Sequence, residues 1–277
     1  FAPSVTTVAL TSALDPITRP VVLNSTDRTD VTIDGGGGAF DGVTLAAGSG
    51  GSTVQSLRIL NFGGVGVLVQ SSDDTIQANT IDGVSIGVRI SGEAATGAVV
   101  VGNQIGVDGY YSSGVSTGVL VDQAGDFSIT GNTIGNAFNA GVRILNSTGG
   151  GSITSNDVGI TESGTAVGNG DGVQIYQSTD VVIGGTDAGQ GNYIGNSSGS
   201  AIVIAGASAT RNSVLGNVIG FTPGSSGSAA PNNYGVSINN AGGNAVGASG
   251  AGNQIDASLL SGVHLFNTPA AGNTVVA

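Results

Sequence analysis

Residues 118–134, GVLVDQAGDFSITGNTI, hold two short patterns that recur along the chain and decide its fold. The first is Gly-Val-x-aliphatic, here Gly118-Val119-Leu120-Val121. It returns at Gly42-Val43, Gly66-Val67, Gly87-Val88, Gly141-Val142, Gly172-Val173, Gly235-Val236 and Gly262-Val263, with Ala201-Ile202 as a degenerate copy. The second, aliphatic-x-small-Asn-x-aliphatic, follows about ten residues later, here Ile129–Ile134 (ITGNTI). Other copies are IQANTI at 76–81, ITSNDV at 153–158 and VLGNVI at 214–219. In both patterns apolar residues alternate with period two, so each is a short strand with its aliphatic side chains on one face. A helix is excluded by that spacing and by the dominance of Gly and β-branched residues.

The copies of the first pattern lie roughly 21 to 34 residues apart, the period of solenoids. A sandwich or propeller would show two-residue Asn-Gly hairpin loops between alternating strands. Here each strand recurs with its own type one period later, which suits a coil stacked in register. The expected fold is an all-β, right-handed parallel β-helix of about nine to eleven rungs, roughly 4.8 Å apart. Val43, Val67, Val88, Val119, Val142, Val173, Ile202, Val236 and Val263 would form one interior ladder. The whole chain, 1–277, reads as one domain, with 1–30 as an opening or capping segment and 31–277 as repeats.

Asn79, Asn103, Asn132, Asn156, Asn192, Asn217 and Asn253 share the turn position of the second pattern. A repeated Asn can mark a ligand or glycan site. Equally, stacked amides can bond to their equivalents above and below and satisfy turn groups that would otherwise be buried unpaired. Asn also tolerates the left-handed conformation of such turns. We therefore expect an interior asparagine ladder, starting one rung in because Leu57 stands in the first copy. Longer turns fall at 106–117, 159–171 and 220–234, and a second set at 184–191 and 247–252. Insertions in a solenoid tend to share a face. Tyr110, Tyr111 and Tyr234 in the first set are candidate carbohydrate contacts, or covers for the apolar ends of their own loops.

The composition narrows the partners. The chain has 18 acidic residues against 6 basic ones, all Arg, for a net charge of −12. Phosphate backbones require a basic surface, so nucleic-acid binding is not expected, and anionic membranes would repel the chain. No apolar run is long enough to span a bilayer. With no Cys there is no disulfide framework or thiolate metal site. Phe1 is not an initiator Met, and the chain reads as a processed or excised piece of a longer product.

Ile105–Asp108 (IGVD), Val182–Ile194 (VIGGTDAGQGNYI) and the Gly-Val-x-Ile copies resemble the right-handed β-helix repeats of large bacterial extracellular and surface proteins, with a pectin-lyase-like fold. Residues 10–44 resemble their opening segment. The resemblance covers nearly the whole chain and implies the fold; that fold hosts lyases, hydrolases, epimerases and non-catalytic surface proteins. The enzyme motifs it brings to mind are incomplete. Asn79-Thr80 and Asn132-Thr133 are each followed by Ile rather than Asp, Asp73-Asp74 reads as a turn, and His264 is flanked by Val263 and Leu265. No Asp-Pro-His-Glu run occurs, since Asp15-Pro16 is followed by Ile17. Arg89 and Arg143 take outward strand positions, but no copy carries Asp or Glu at that position.

His264 lacks a His or Cys partner for zinc, no calcium loop is complete, and Gly35–Gly38 lacks the residues of a phosphate-binding loop. No catalytic residue, metal site or cofactor is therefore assigned. The expectation is a non-catalytic extracellular or cell-surface module, a rigid rod, spacer or adhesive segment. The alternative is a carbohydrate-active enzyme or polysaccharide-binding module. Asn273-Thr274-Val275 repeats Asn212-Ser213-Val214, yet the Gly-Asn turn that should follow is missing. The expected partner is thus a flanking solenoid of a longer chain, or a second copy stacked end to end, with polysaccharide as a further candidate.

Overall fold

Each turn visits three faces, as the turn around Asn132 illustrates. Phe127–Thr130 lies on Gly151–Thr154 of the next turn. After the corner at Asn132, Thr133–Ile134 lies on Asp157–Val158, and Ala137–Leu145 then lies on Asp171–Tyr176. Repeated about nine times, with every pairing between the described strands parallel, this is a right-handed parallel β-helix. The computed structural model describes residues 6–25, 31–109, 114–224, 227–267 and 272–276. Among the described residues the first face is a 10-stranded sheet, and the other two share a 17-stranded sheet. We call them the back face (Phe127–Thr130 and its equivalents), the narrow face (Thr133–Ile134) and the broad face (Ala137–Leu145).

Like stacks on like. Val43, Val67, Val88 and Val119 stand in one register column, which continues through Val142, Val173, Ile202, Val236 and Val263. All are buried except Val263 on the last rung, which is partly buried. A single hydrophobic cluster runs from Val31 to Val246. The glycine before each valine answers to a close approach. A Cβ there would come within 2.5–2.9 Å of the next rung's backbone carbonyl at Gly42, Gly66, Gly87, Gly118 and Gly141.

The asparagine column is buried from Asn79 to Asn217, and Asn253 on the last rung is partly buried. Asn132 Oδ1 accepts the backbone N–H of Asn103 (2.9 Å) and its side-chain amide (3.0 Å). Asn132 in turn donates its backbone N–H and its amide to Asn156 Oδ1, both at 2.9 Å. The amide also reaches the Val100 carbonyl at 2.9 Å. The same pattern links Asn79 to Asn103, Asn156 to Asn192, and Asn192 through Asn217 to Asn253. Leu57 closes the series by donating its N–H to Asn79 Oδ1.

A second ladder stands at the corner leading onto the back face. Val181 N–H donates to Asn212 Oδ1, Asn212 to Asn244 and Asn244 to Asn273, each at 3.0 Å. Asp74 holds the same column in an early turn: it is fully buried and accepts Ser52 N–H (2.8 Å) and Ser71 Oγ (2.5 Å). The Asp73-Asp74 pair is thus a turn, as its sequence suggested, and one carboxylate serves it as a ladder rung. In the opening segment Thr7–Ala9 pairs in parallel with Thr32–Asp34, and Val22–Asn24 with Thr53–Gln55, so it coils like the repeats.

Two substitutions test these contacts. Asn132→Leu should strand corner N–H groups and cost about 1–3 kcal/mol. Gly118→Val should force neighbouring rungs apart and cost about 1–3 kcal/mol or more. Urea unfolding of each variant against the parent measures both; stability unchanged in either would refute the corresponding contact.

Candidate functional site

The three long insertions leave the helix at one corner. Each follows a narrow-face strand, ending at Ile105, Val158 or Ile219, and rejoins the broad face. The turns between them pass the corner directly. Two insertions fold back on themselves through the bridges Ile160–Ala166 and Phe221–Ala229. Alternation of long and short corners leaves a cleft of about 570 Å³, in which Asn136, Phe138, Asn196 and Ser198 stand with the backbone of Gly168 and Gly170.

Phe138 is 76% exposed. Counting back by twos from buried Val142 would place it inside. Between Ala137 and Ala140, however, the strand carries one residue more than Val115–Thr117 of the preceding turn. Such a bulge reverses the alternation and turns the ring out. Asn136 and Asn196 sit at equivalent corners with positive φ, 52° and 55°. The amide of Asn136 donates to the Gly106 carbonyl at 2.7 Å, and that of Asn196 to the Gly159 carbonyl at 3.0 Å. Each amide is thereby fixed, and each Oδ1 accepts no hydrogen bond among the described residues.

Of the aromatic residues singled out from the sequence, Tyr110 and Tyr111 lie outside the described residues. Tyr234 is half-buried and stacks on His264, with ring centroids 4.9 Å apart and planes at 13°; His264 stacks in turn on Phe266. The structure does not bring Tyr234 into the cleft. Phe138, Asn136, Asn196 and Ser198 were not singled out by the sequence reading.

Most carboxylates are engaged elsewhere. Asp108 meets Arg58 at 2.6 Å, Asp122 meets Arg89 at 3.1 Å and Asp180 meets Arg211 at 2.6 Å. Arg89 therefore has an acidic partner, which its own strand position did not reveal because Asp122 lies two residues further along the next rung's strand. The Arg211 guanidinium holds the Asp180 carboxyl below the usual range. Arg143 makes no ion pair among the described residues, and its Nε is buried without a partner. Burial pushes the Asp74 and Asp82 carboxyls up. One Asp82 oxygen accepts the Gly83 N–H at 2.7 Å; the other is buried without a hydrogen-bond partner among the described residues. Asp157, on the narrow face, is pushed up to about 6, first by burial and then by the charge of Glu162 on the 159–171 insertion. No group of three or more His, Cys, Asp or Glu that would hold a metal occurs among the described residues.

Residues 11–199, more than half of the chain, match the protein family described as periplasmic copper-binding protein (NosD). The chain belongs to the NosD family. Copper is bound by imidazole and by thiolate or thioether sulfur. This NosD-family chain has one His and neither Cys nor Met, and that His is stacked between Tyr234 and Phe266. Its residues do not fit a protein-held copper ion. Among solved structures, the chain is similar to the A-module of the mannuronan C-5 epimerase AlgE4 from Azotobacter vinelandii. The TM-score is 0.51 at 15% identity, covering 93% of this chain and 72% of that one. Likeness at this level shows the shared fold. Weaker matches are the periplasmic alginate epimerase AlgG (TM-score 0.42, 14% identity, 89% and 74% covered) and the catalytic domain of a GH87 alpha-1,3-glucanase solved with tetrasaccharides (0.30, 12%, 97% and 61%). A search of curated protein sequences finds no match.

Because the Asp157 proton is held more tightly in the folded chain, stability should fall as pH rises from about 4 through about 6, and the penalty should persist above that. Asp157→Asn should therefore leave stability near pH 4 unchanged and raise it at pH 7.5 by about 1 kcal/mol, allowing for solvent screening. Urea unfolding at the two pH values checks this; an equal effect at both would overturn it.

Proposed function

We propose that this chain is a non-catalytic module of an exported protein, standing outside the cytoplasm at the cell surface or beyond, and acting as a rigid rod with an adhesive corner. The destination of the carboxylates carries the reading. Asp74 serves a corner, and Asp108, Asp122 and Asp180 serve arginines, so these groups are engaged in structural contacts. Ladders that run from turn to turn favour stiffness; about nine rungs at roughly 4.8 Å make a rod of about 43 Å. The periplasmic description of the NosD family supports a place outside the cytoplasm. The last rung exposes Leu259, Leu260, Leu265 and Phe266. Its partner in this reading is the rung of a second copy, because parallel strand addition covers these apolar side chains and satisfies the strand's edge groups.

A carbohydrate-active enzyme is the second reading, and one observation favours it. Asp157 titrates near 6 beside Glu162, and a carboxylic acid retained close to neutrality beside a second carboxylate is the arrangement of glycoside acid–base chemistry. Incubation with alginate, polygalacturonate and alpha-1,3-glucan, with calcium supplied, decides between them. The expected result is no unsaturated product, no epimerisation and no chain shortening. Turnover that is lost in Asp157→Asn or Glu162→Gln would establish the enzyme instead. In the same preparation, light scattering at micromolar concentration should show association that Leu260→Asp abolishes; a strict monomer would refute end-to-end stacking.

A further inference from the structure

We propose that the corner cleft around Phe138 is a binding site for an uncharged polysaccharide, occupied by at least a disaccharide stretch of its chain. The proposal deepens the adhesive part of the reading above by naming a ligand class, and it does not depend on whether the chain is catalytic.

Lone exposed apolar residues are ordinary on protein surfaces. Phe138 differs in its setting. Its ring stands in a concave site of about 570 Å³, within the usual range for small-ligand sites. The rest of the described lining is mainly polar and carries no charge: Asn136, Asn169 and Asn196, the Ser198 hydroxyl and glycine backbone, with Ala137 beside the ring. A flat apolar ring beside fixed hydrogen-bonding groups matches a pyranose, which presents a C–H face to the ring and hydroxyls around its rim.

The polar groups are preorganised. Asn136 and Asn196 each commit their amide nitrogen to a glycine carbonyl of the preceding rung. Their carbonyl oxygens remain as acceptors for sugar hydroxyls. Ser198 Oγ makes only long contacts of 3.4 Å to the Asn169 and Gly170 carbonyls, so its hydroxyl is available to a ligand. Asn136 and Asn196 sit on equivalent corners two turns apart, about 10 Å at the spacing of stacked strands. Two fixed acceptors at that separation are spanned by linked sugars rather than by one.

Charge selects the ligand class. The net charge of −12 and the absence of any Lys or Arg among the described lining residues disfavour a polyuronate, whose every residue is an anion. A neutral hexose polymer carries no such penalty. Glycine carries the walls: a Cβ at Gly168 would lie 2.5 Å from the Asn196 carbonyl, and one at Gly170 would lie 2.5 Å from the Asn139 carbonyl. At both positions the missing side chain lets neighbouring backbone segments approach closely beside the cleft.

The chain contains no Trp, so Phe138→Trp places one indole in the cleft and nowhere else. The probes are neutral hexasaccharides, α- and β-linked glucans and a mannan, set against alginate and polygalacturonate hexamers. At least one neutral oligosaccharide should shift the indole emission saturably, and the uronates should not. By isothermal calorimetry on the unaltered chain, Phe138→Ala should weaken that oligosaccharide about tenfold or more. Asn196→Ala should weaken it less, and Phe138→Tyr should retain it. Thermal unfolding of Phe138→Ala is expected to match the parent, since the ring is exposed. No saturable response to any neutral probe, an equal response to the uronates, or affinity unchanged in Phe138→Ala would each overturn the proposal. Turnover of a substrate without cleft binding would instead defeat only the non-catalytic reading.

Discussion

Every corner of a β-helix buries backbone N–H groups that no strand can satisfy, and the rest of this structure depends on how that demand is met. An unpaired buried N–H costs on the order of 1–3 kcal/mol, and the coil turns corners in each of about nine rungs. At the main corner the answer is an amide. Asn132 Oδ1 accepts two bonds from the rung before while its own N–H and Nδ2 donate to the rung after. Asparagine alone combines an acceptor, two donors, short reach and tolerance of turn geometry. The corner onto the back face is less uniform. Asn212, Asn244 and Asn273 serve it late in the chain, while the Asp74 carboxylate does so early, at the expense of holding a carboxyl in a desolvated site.

With the interior fixed by identity at each column, variation is confined to outward strand positions and to corners. The outward position of the broad face holds Thr44, Leu68, Arg89, Leu120, Arg143, Gln174, Val203, Ser237 and His264 in turn, a column with no common chemistry. The corners vary in length instead. Insertions on alternate rungs stand apart, and the short corner between them becomes the floor of a cleft. A single extra residue between Ala137 and Ala140 then decides which side chain occupies that floor.

Membership of the NosD family and the fold shared with an epimerase module do not by themselves assign chemistry, because function resides in sites placed upon a fold. The donor set of this chain lacks the sulfur ligands and paired imidazoles that copper favours. Three of its carboxylates, Asp108, Asp122 and Asp180, are tied to arginines, whereas burial and the charge of Glu162 raise Asp157. What distinguishes the molecule is a neutral, preorganised corner on a stiff acidic body.

The sequence by itself determined the solenoid. Period-two alternation, the Gly-Val column and the Asn column are local signals repeated along the chain, and stacking like on like converts a one-dimensional repeat directly into register. It determined the interior residues for the same reason, and Leu57 marked the ladder's start. Only the tertiary structure decided the partners of Arg58, Arg89 and Arg211, which lie 31 to 50 positions away from them in the chain. It also decided that Asp74 is a ladder member rather than an exposed turn residue, and that Tyr234 stacks on His264. Phe138 is the plainest case: strict alternation from Val142 predicts an interior ring, and one bulged residue, visible only against the neighbouring rung, puts it in solvent. Pairing across rungs sets the phase of a strand, and that phase is a property of two segments at once, so no single stretch of sequence contains it.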